Sequence, residues 1–156
     1  MAVAVSPVNE TGALTRPERK LAWWLRFFGL LFAIGTVAFL LRPDDTVKDL
    51  DRVGRLVHLP TLASTAFPVV SDFWLSLAIA NMATITACAW IAAADIRRRR
   101  ALVYPIIVSK LASSATGILL FVRWAYAFPF LATALVDLPI AIILVSALRG
   151  APPDRG

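Results

Sequence analysis

The sequence holds little of what small enzymes and metal proteins usually depend on. It contains one cysteine, Cys88, and one histidine, His58. A lone cysteine makes neither an internal disulfide nor a Cys-x-x-Cys pair, and a lone histidine excludes a haem held by two histidines or a zinc site built on several within one chain. A G-x-S-x-G elbow and a phosphate-binding glycine loop are missing too, which removes the common signatures of acyl transfer and nucleotide binding. On these grounds no metal and no cofactor is expected, and no catalytic residue is assigned. Charge is also scarce: 17% of the 156 residues are Asp, Glu, Lys or Arg, against about a quarter in ordinary soluble domains.

Apolar residues fill the space instead, at 59% of the chain, with a mean hydropathy of +0.74. Four stretches, 21–41, 73–94, 102–122 and 128–148, have the roughly 20 residues that about 30 Å of hydrocarbon requires. The expected fold is all-α: a polytopic four-helix transmembrane bundle whose main partner is the lipid bilayer. The net charge of +6 does not point to nucleic acid, because the Lys and Arg side chains gather at the ends of apolar segments rather than on an exposed basic face.

The first 20 residues read as a polar tail leading into "LAWWLRFFGLLFAIGTVAFLL". That run is longer than the apolar core of a cleaved signal peptide, about 7 to 15 residues, so it reads as a retained helix. With the first helix entering from the cytoplasm, the inner side carries Arg16, Arg19, Lys20, Arg26, Arg97, Arg98, Arg99, Arg100, Arg149 and Arg155, and the outer side Arg42, Lys48, Arg52, Arg55 and Arg123. The excess has the sign of the positive-inside rule, so both termini are expected in the cytoplasm, and the membrane is read as a bacterial cytoplasmic (inner) membrane. Trp23, Trp24, Trp74, Trp124 and Tyr126 fall near span ends, as interfacial aromatics do.

The connections 95–101 and 123–127 are short and force hairpins, followed at the end by a tail over 149–156. The 42–72 loop is the sizeable exposed element. Within it, about 45–58 reads as an amphipathic interfacial helix capped by Asp44 or Asp45, with Val47, Leu50, Val53 and Val57 on one side and Pro60 at its end. The run Arg97, Arg98, Arg99 and Arg100 reads as a topology anchor, with capacity for anionic head groups.

Each span carries one small or polar side when drawn at 100° per residue. The expected inward stripes are Ala22, Arg26, Gly29, Ala33 and Thr36; Asn81, Thr84, Cys88, Ala92 and Asp95; Lys110, Ser113, Ser114 and Gly117; and Thr133, Asp137 and Ala141. Helix packing in lipid accounts for the small and hydroxyl residues. It does not account for Lys110 and Asp137, since a charge near mid-span costs roughly 2.5–3.5 kcal/mol on insertion scales.

Lys110 lies about 12 Å and Asp137 about 16 Å from the cytoplasmic ends of their helices at 1.5 Å per residue, within reach of one another across a hairpin. They are expected to pair, with Asn81, Thr84, Ser113, Ser114 and Thr133 completing an intramembrane polar cluster. Pro139 is expected to disturb the preceding turn and to leave the Leu135 carbonyl for Lys110. Three functions fit. The first is a non-catalytic accessory or structural subunit of a membrane assembly, partnered by other membrane subunits. The second is a homo-oligomeric proton-coupled carrier titrating at Asp137 with Lys110 as counter-charge. The third is an enzyme acting on a lipid-soluble substrate.

Overall fold

The computed structural model describes residues 14–61 and 72–151. The expectations for 1–13, for 62–71 of the long loop and for 152–156 lie outside the described residues. Among the described residues six α-helices follow in order: α1 Arg16–Leu41, α2 Pro43–Leu56, α3 Asp72–Ala94, α4 Ile96–Arg99, α5 Val103–Leu120 and α6 Phe128–Gly150. A short 3-10 turn, Arg100–Leu102, joins α4 to α5, and a π-helical turn, Phe121–Ala125, ends α5. Among the described residues there are no strands. Four helical stretches among these residues are long and apolar enough to cross a membrane: Arg16–Leu41, Leu75–Ala94, Ile96–Arg123 and Phe128–Gly150. The chain is therefore an all-helical protein compatible with multi-pass insertion.

α1 begins before the apolar run because "TRPE" is a capping box. The Glu18 amide donates to Thr15 Oγ1 at 3.4 Å and the Thr15 amide donates to Glu18 Oε2 at 2.6 Å, so two amides left free at a helix start are satisfied reciprocally. Pro17 in the first turn suits a position that needs no intrahelical N–H. The helix breaks at Arg42 (φ −144°, ψ 58°), which the following Pro43 drives out of helical geometry.

α2 then starts at Pro43, with Arg42 rather than Asp44 or Asp45 as its N-cap. Asp45 turns back to bind the Arg42 guanidinium at 2.9 Å instead of capping the helix, and Arg42 with Lys48 holds this exposed carboxyl below its ordinary pKa. At the other end, the His58 amide donates to Arg55 O at 3.2 Å and the Leu59 amide to Gly54 O at 3.0 Å, with His58 at φ 59°. This is a Schellman stop with histidine in the left-handed position that glycine usually occupies.

α2 packs on α6 and on the end of α1. Asp51 and Gly54 are buried, while Val53, Leu56 and Val57 are exposed. The inward side of α2 is thus offset from the expected apolar side, and an apolar strip is left facing outward. Gly54 permits the contact with α6, because a Cβ there would stand 2.6 Å from Phe128 Cβ.

The four long helices form a ring in which α1 packs chiefly on α3 and α5 on α6, closed by α1 against α6 and α3 against α5. Tight packing is concentrated at the arginine-rich end, where Leu21, Leu25, Phe28 and Phe32 of α1 meet Ile85, Ala89 and Ala92 of α3, Val103 and Ile106 of α5, and Ile140 and Leu144 of α6. Towards the other end side chains of α1 from Ala33 onward are partly or fully exposed.

Two stripes differ from expectation. On α1 the buried side is Leu21, Ala22, Leu25, Phe28, Gly29 and Phe32, and Arg26 faces outward. On α3 it is Ile85, Ala89, Ala92 and Ala93, so the helix is turned about one residue from the Asn81–Thr84–Cys88 line. The aromatic ridge Trp24, Phe28 and Phe32, with neighbouring ring centroids 5.3 and 6.3 Å apart, requires a flat alanine surface opposite. Hydroxyl residues exert no such demand, since they can bond within their own helix.

Candidate functional site

The buried face of α5 carries Val103, Ile106, Ile107, Lys110, Ser114 and Gly117. Facing it, α6 buries Ala134, Asp137, Ile140, Ala141 and Leu144. The small residues let the two backbones come close: a Cβ on Gly117 would stand 2.6 Å from the Phe130 carbonyl oxygen. At this separation Lys110 Nζ lies 2.9 Å from Asp137 Oδ1, with both side chains almost wholly removed from solvent, at 6% and 11% exposure.

The second carboxylate oxygen accepts from Ser113 Oγ. The Ser114 hydroxyl donates to the Lys110 carbonyl oxygen at 2.7 Å, one turn back. The Lys110 ammonium also lies 4.5 Å from the centre of the Phe32 ring, so α1 contributes a π face to a cation that α5 supplies and α6 neutralises. Among the described residues no buried side-chain nitrogen or oxygen lacks a hydrogen-bond partner. Such pairing offsets part of the cost of burying two charges.

The remaining expected members are distributed differently. Asn81 bonds across to α5 through Ser109, its Nδ2 donating to Ser109 Oγ at 3.2 Å. Thr133 donates to Pro129 O at 3.0 Å. Thr84 is exposed and donates to Ala80 O at 2.8 Å within its own helix, so it does not join the cluster. α6 runs unbroken through Pro139, and the hydrogen bond of the Lys110 ammonium goes to the Asp137 carboxylate rather than to the Leu135 carbonyl. A carboxylate is the stronger acceptor for an ammonium, and Leu135 itself faces outward.

Above the pair the bundle opens into a cavity of about 340 Å³. Asn81, Ser113, Thr133, Lys110 and Asp137 give it a polar side, Phe39, Met82 and Val136 an apolar one, and Leu50 of α2 also lines it. The sequence carried no sign of this cavity, because it depends on where α2 rests.

The arginine run has a mixed fate. Arg97 makes a bidentate contact with Glu18, Nε to Oε1 at 2.9 Å and Nη2 to Oε2 at 3.1 Å. Glu18 sits in the polar first turn of α1, ahead of the apolar run, and the Arg97 guanidinium lowers its pKa to about 2. Asp95 caps α4 through the Arg98 amide at 3.3 Å. Arg100 Nη2 donates to Leu148 O in the last turns of α6, where carbonyls lack intrahelical partners. Arg98 and Arg99 remain exposed. The Glu18–Arg97 bridge was not foreseen; the Thr-x-x-Glu spacing could have flagged Glu18 as a fixed, inward-held carboxylate.

No family model, no curated protein and no solved structure matches the chain, so the reading of this site rests on its own geometry.

Proposed function

We propose that the chain is a small multi-pass protein of a bacterial cytoplasmic (inner) membrane, with both termini inside, acting as a non-catalytic accessory subunit of a membrane assembly. In this reading the Lys110–Asp137–Ser113 network fixes the register of α5 on α6. The observation that carries it is the pairing across helices: the Lys110 ammonium and both carboxylate oxygens of Asp137 each have a partner within the protein. The orientation is supported by the basic residues at the ends of α1, α4 and α6, which exceed those on the opposite side.

A second reading has one observation in its favour. The cavity of about 340 Å³ touches both Lys110 and Asp137, so a small polar solute or a proton carrier could reach the pair, as a carrier would require. The test is gentle purification of the wild type, Lys110→Met and the double variant Lys110→Met, Asp137→Leu, followed for bound subunits, mass and thermal stability. The register role predicts that the single variant loses both stability and partners, and that the double variant, although no charge is left stranded, still loses the fixed alignment of α5 on α6 and with it the partners. A double variant that is stable and keeps its partners, yet whose assembly no longer works, would transfer the pair to the solute-binding reading.

A further inference from the structure

α1 and α6 are tightly joined only over part of their length. At the arginine-rich end, on the outer side of the packed core, they border an open crevice of about 510 Å³ whose walls include Arg16, Lys20 and Trp24 of α1 and Ile142, Ile143 and Ser146 of α6. Residues four apart share one side of a helix, so the two cations and the indole form a line down the crevice. At 1.5 Å per residue Trp24 is about 6 Å below Lys20 and about 12 Å below Arg16. The lining thus passes from charge, through an amphipathic ring, to aliphatic side chains.

The charges at its mouth are available. Glu18, the nearby carboxylate, is turned to the other side of α1 and held by Arg97. Among the described residues neither Arg16 nor Lys20 has an ion-pair partner. The neighbouring recess between α5 and α6 is lined by Arg100 and Arg149, but there the Arg100 guanidinium is committed to the Leu148 carbonyl, which leaves one cation where the α1–α6 crevice has two. Ile142, in contrast, is 57% exposed within the apolar wall.

We infer that this crevice is a binding site for one anionic phospholipid, its phosphate held between Arg16 and Lys20 and an acyl chain lying along Trp24, Ile142 and Ile143. The order of the lining is the order of the ligand: phosphate, glycerol and ester, then hydrocarbon. Basic pockets between spanning helices recognise anionic head groups in this way. A zwitterionic lipid would meet the same walls with its phosphate charge already balanced. The inference needs the chain to lie in a membrane and is independent of the role of Lys110 and Asp137.

The test is native mass spectrometry of the full chain released from nanodiscs holding equal phosphatidylglycerol and phosphatidylcholine. The wild type is expected to keep one phosphatidylglycerol in preference to phosphatidylcholine, a preference that weakens when salt is raised. Arg16→Gln with Lys20→Gln should lower that adduct at least tenfold, whereas Arg98→Gln with Arg99→Gln, the same charge loss among exposed arginines, should leave it. Equal loss in both variants would reduce the site to diffuse charge, and equal retention of the two lipids to hydrocarbon contact alone. An adduct of phosphate mass without lipid would also overturn it. The head-group preference is read on the wild type, so it stands even where a variant fails to fold.

Discussion

Removing one member of the Lys110–Asp137 pair should destabilise the protein far more than removing both. Lys110→Met leaves the Asp137 carboxylate nearly buried, with Ser113 as its remaining partner. Stranding one charge of a buried pair costs about 3–5 kcal/mol. Loss of the ammonium over the Phe32 ring adds about 0.5–2 kcal/mol at most. Asp137→Leu strands the ammonium instead, but Lys110 has a flexible four-carbon stem that borders the cavity, and its charge can move towards water. The carboxylate stem has no such freedom, so Lys110→Met should be the costlier change.

In the double variant no charge remains. Ser113 can still donate to the Lys110 backbone carbonyl oxygen, 3.1 Å away, so no donor is orphaned. Stability should return to within about 1–2 kcal/mol of wild type, as replacing whole buried pairs by apolar residues often permits. The coupling energy from the double-mutant cycle should then be about 3 kcal/mol. It is measurable by reversible unfolding in mixed micelles followed by circular dichroism. Additive losses, with the double variant worse than either single one, would refute the argument that the pair is an internally closed unit.

Other outcomes follow from single contacts. Gly117→Ala should cost about 2 kcal/mol or more, because the added methyl meets a backbone carbonyl that cannot swing aside, while Gly150→Ala, with nothing within 4 Å, should be nearly silent in the same unfolding assay. His58→Gly should stabilise α2 by about 1 kcal/mol by relieving a left-handed histidine, readable as slower amide exchange over Pro43–Leu56; unchanged exchange would count against the Schellman stop. Glu18 has a pKa lowered to about 2 from 4.5. Its contribution is therefore complete above about pH 4.5 and is lost as pH falls towards 2, amounting to about 3 kcal/mol at most and less where water screens Arg97. The wild type should lose stability over that window relative to Glu18→Gln, and parallel curves would show that the bridge contributes nothing.

The four long helices were legible because hydrocarbon thickness sets a length that few other structures need, and the runs at 21–41 and 128–148 meet it without ambiguity. The face each helix turns inward was legible only in part. On α5 and α6 the charged residues dictated the rotation, since Lys110 and Asp137 cannot face lipid cheaply. On α3 there was no such constraint: Asn81 and Thr84 are mild enough to be satisfied at an edge or along their own helix, and the aromatic ridge of α1 decided the packing instead. α2 was visible as a helix, but its position was not. Gly54 against Phe128 is a contact between distant parts of the chain that no local pattern announces.

Those two kinds of constraint meet on one seam. Lys110, Ser113 or Ser114, and Gly117 recur at intervals of three or four and form a single line on α5, opposite Ala134, Asp137 and Ala141 of α6. Small residues alone would let the helices approach at several registers, because alanine and glycine surfaces differ little from one turn to the next. A charged pair alone would hold the helices apart at the length of a lysine. Together they restrict the outcome: the glycine and alanines bring the backbones close, and at that distance only one register lets the ammonium reach Oδ1 while the neighbouring serine reaches Oδ2. A slip of one turn, about 5.4 Å, would strand both charges. On the proposed reading, the cost of placing Lys110 and Asp137 within a span is offset by the alignment of α5 on α6 that their pairing favours.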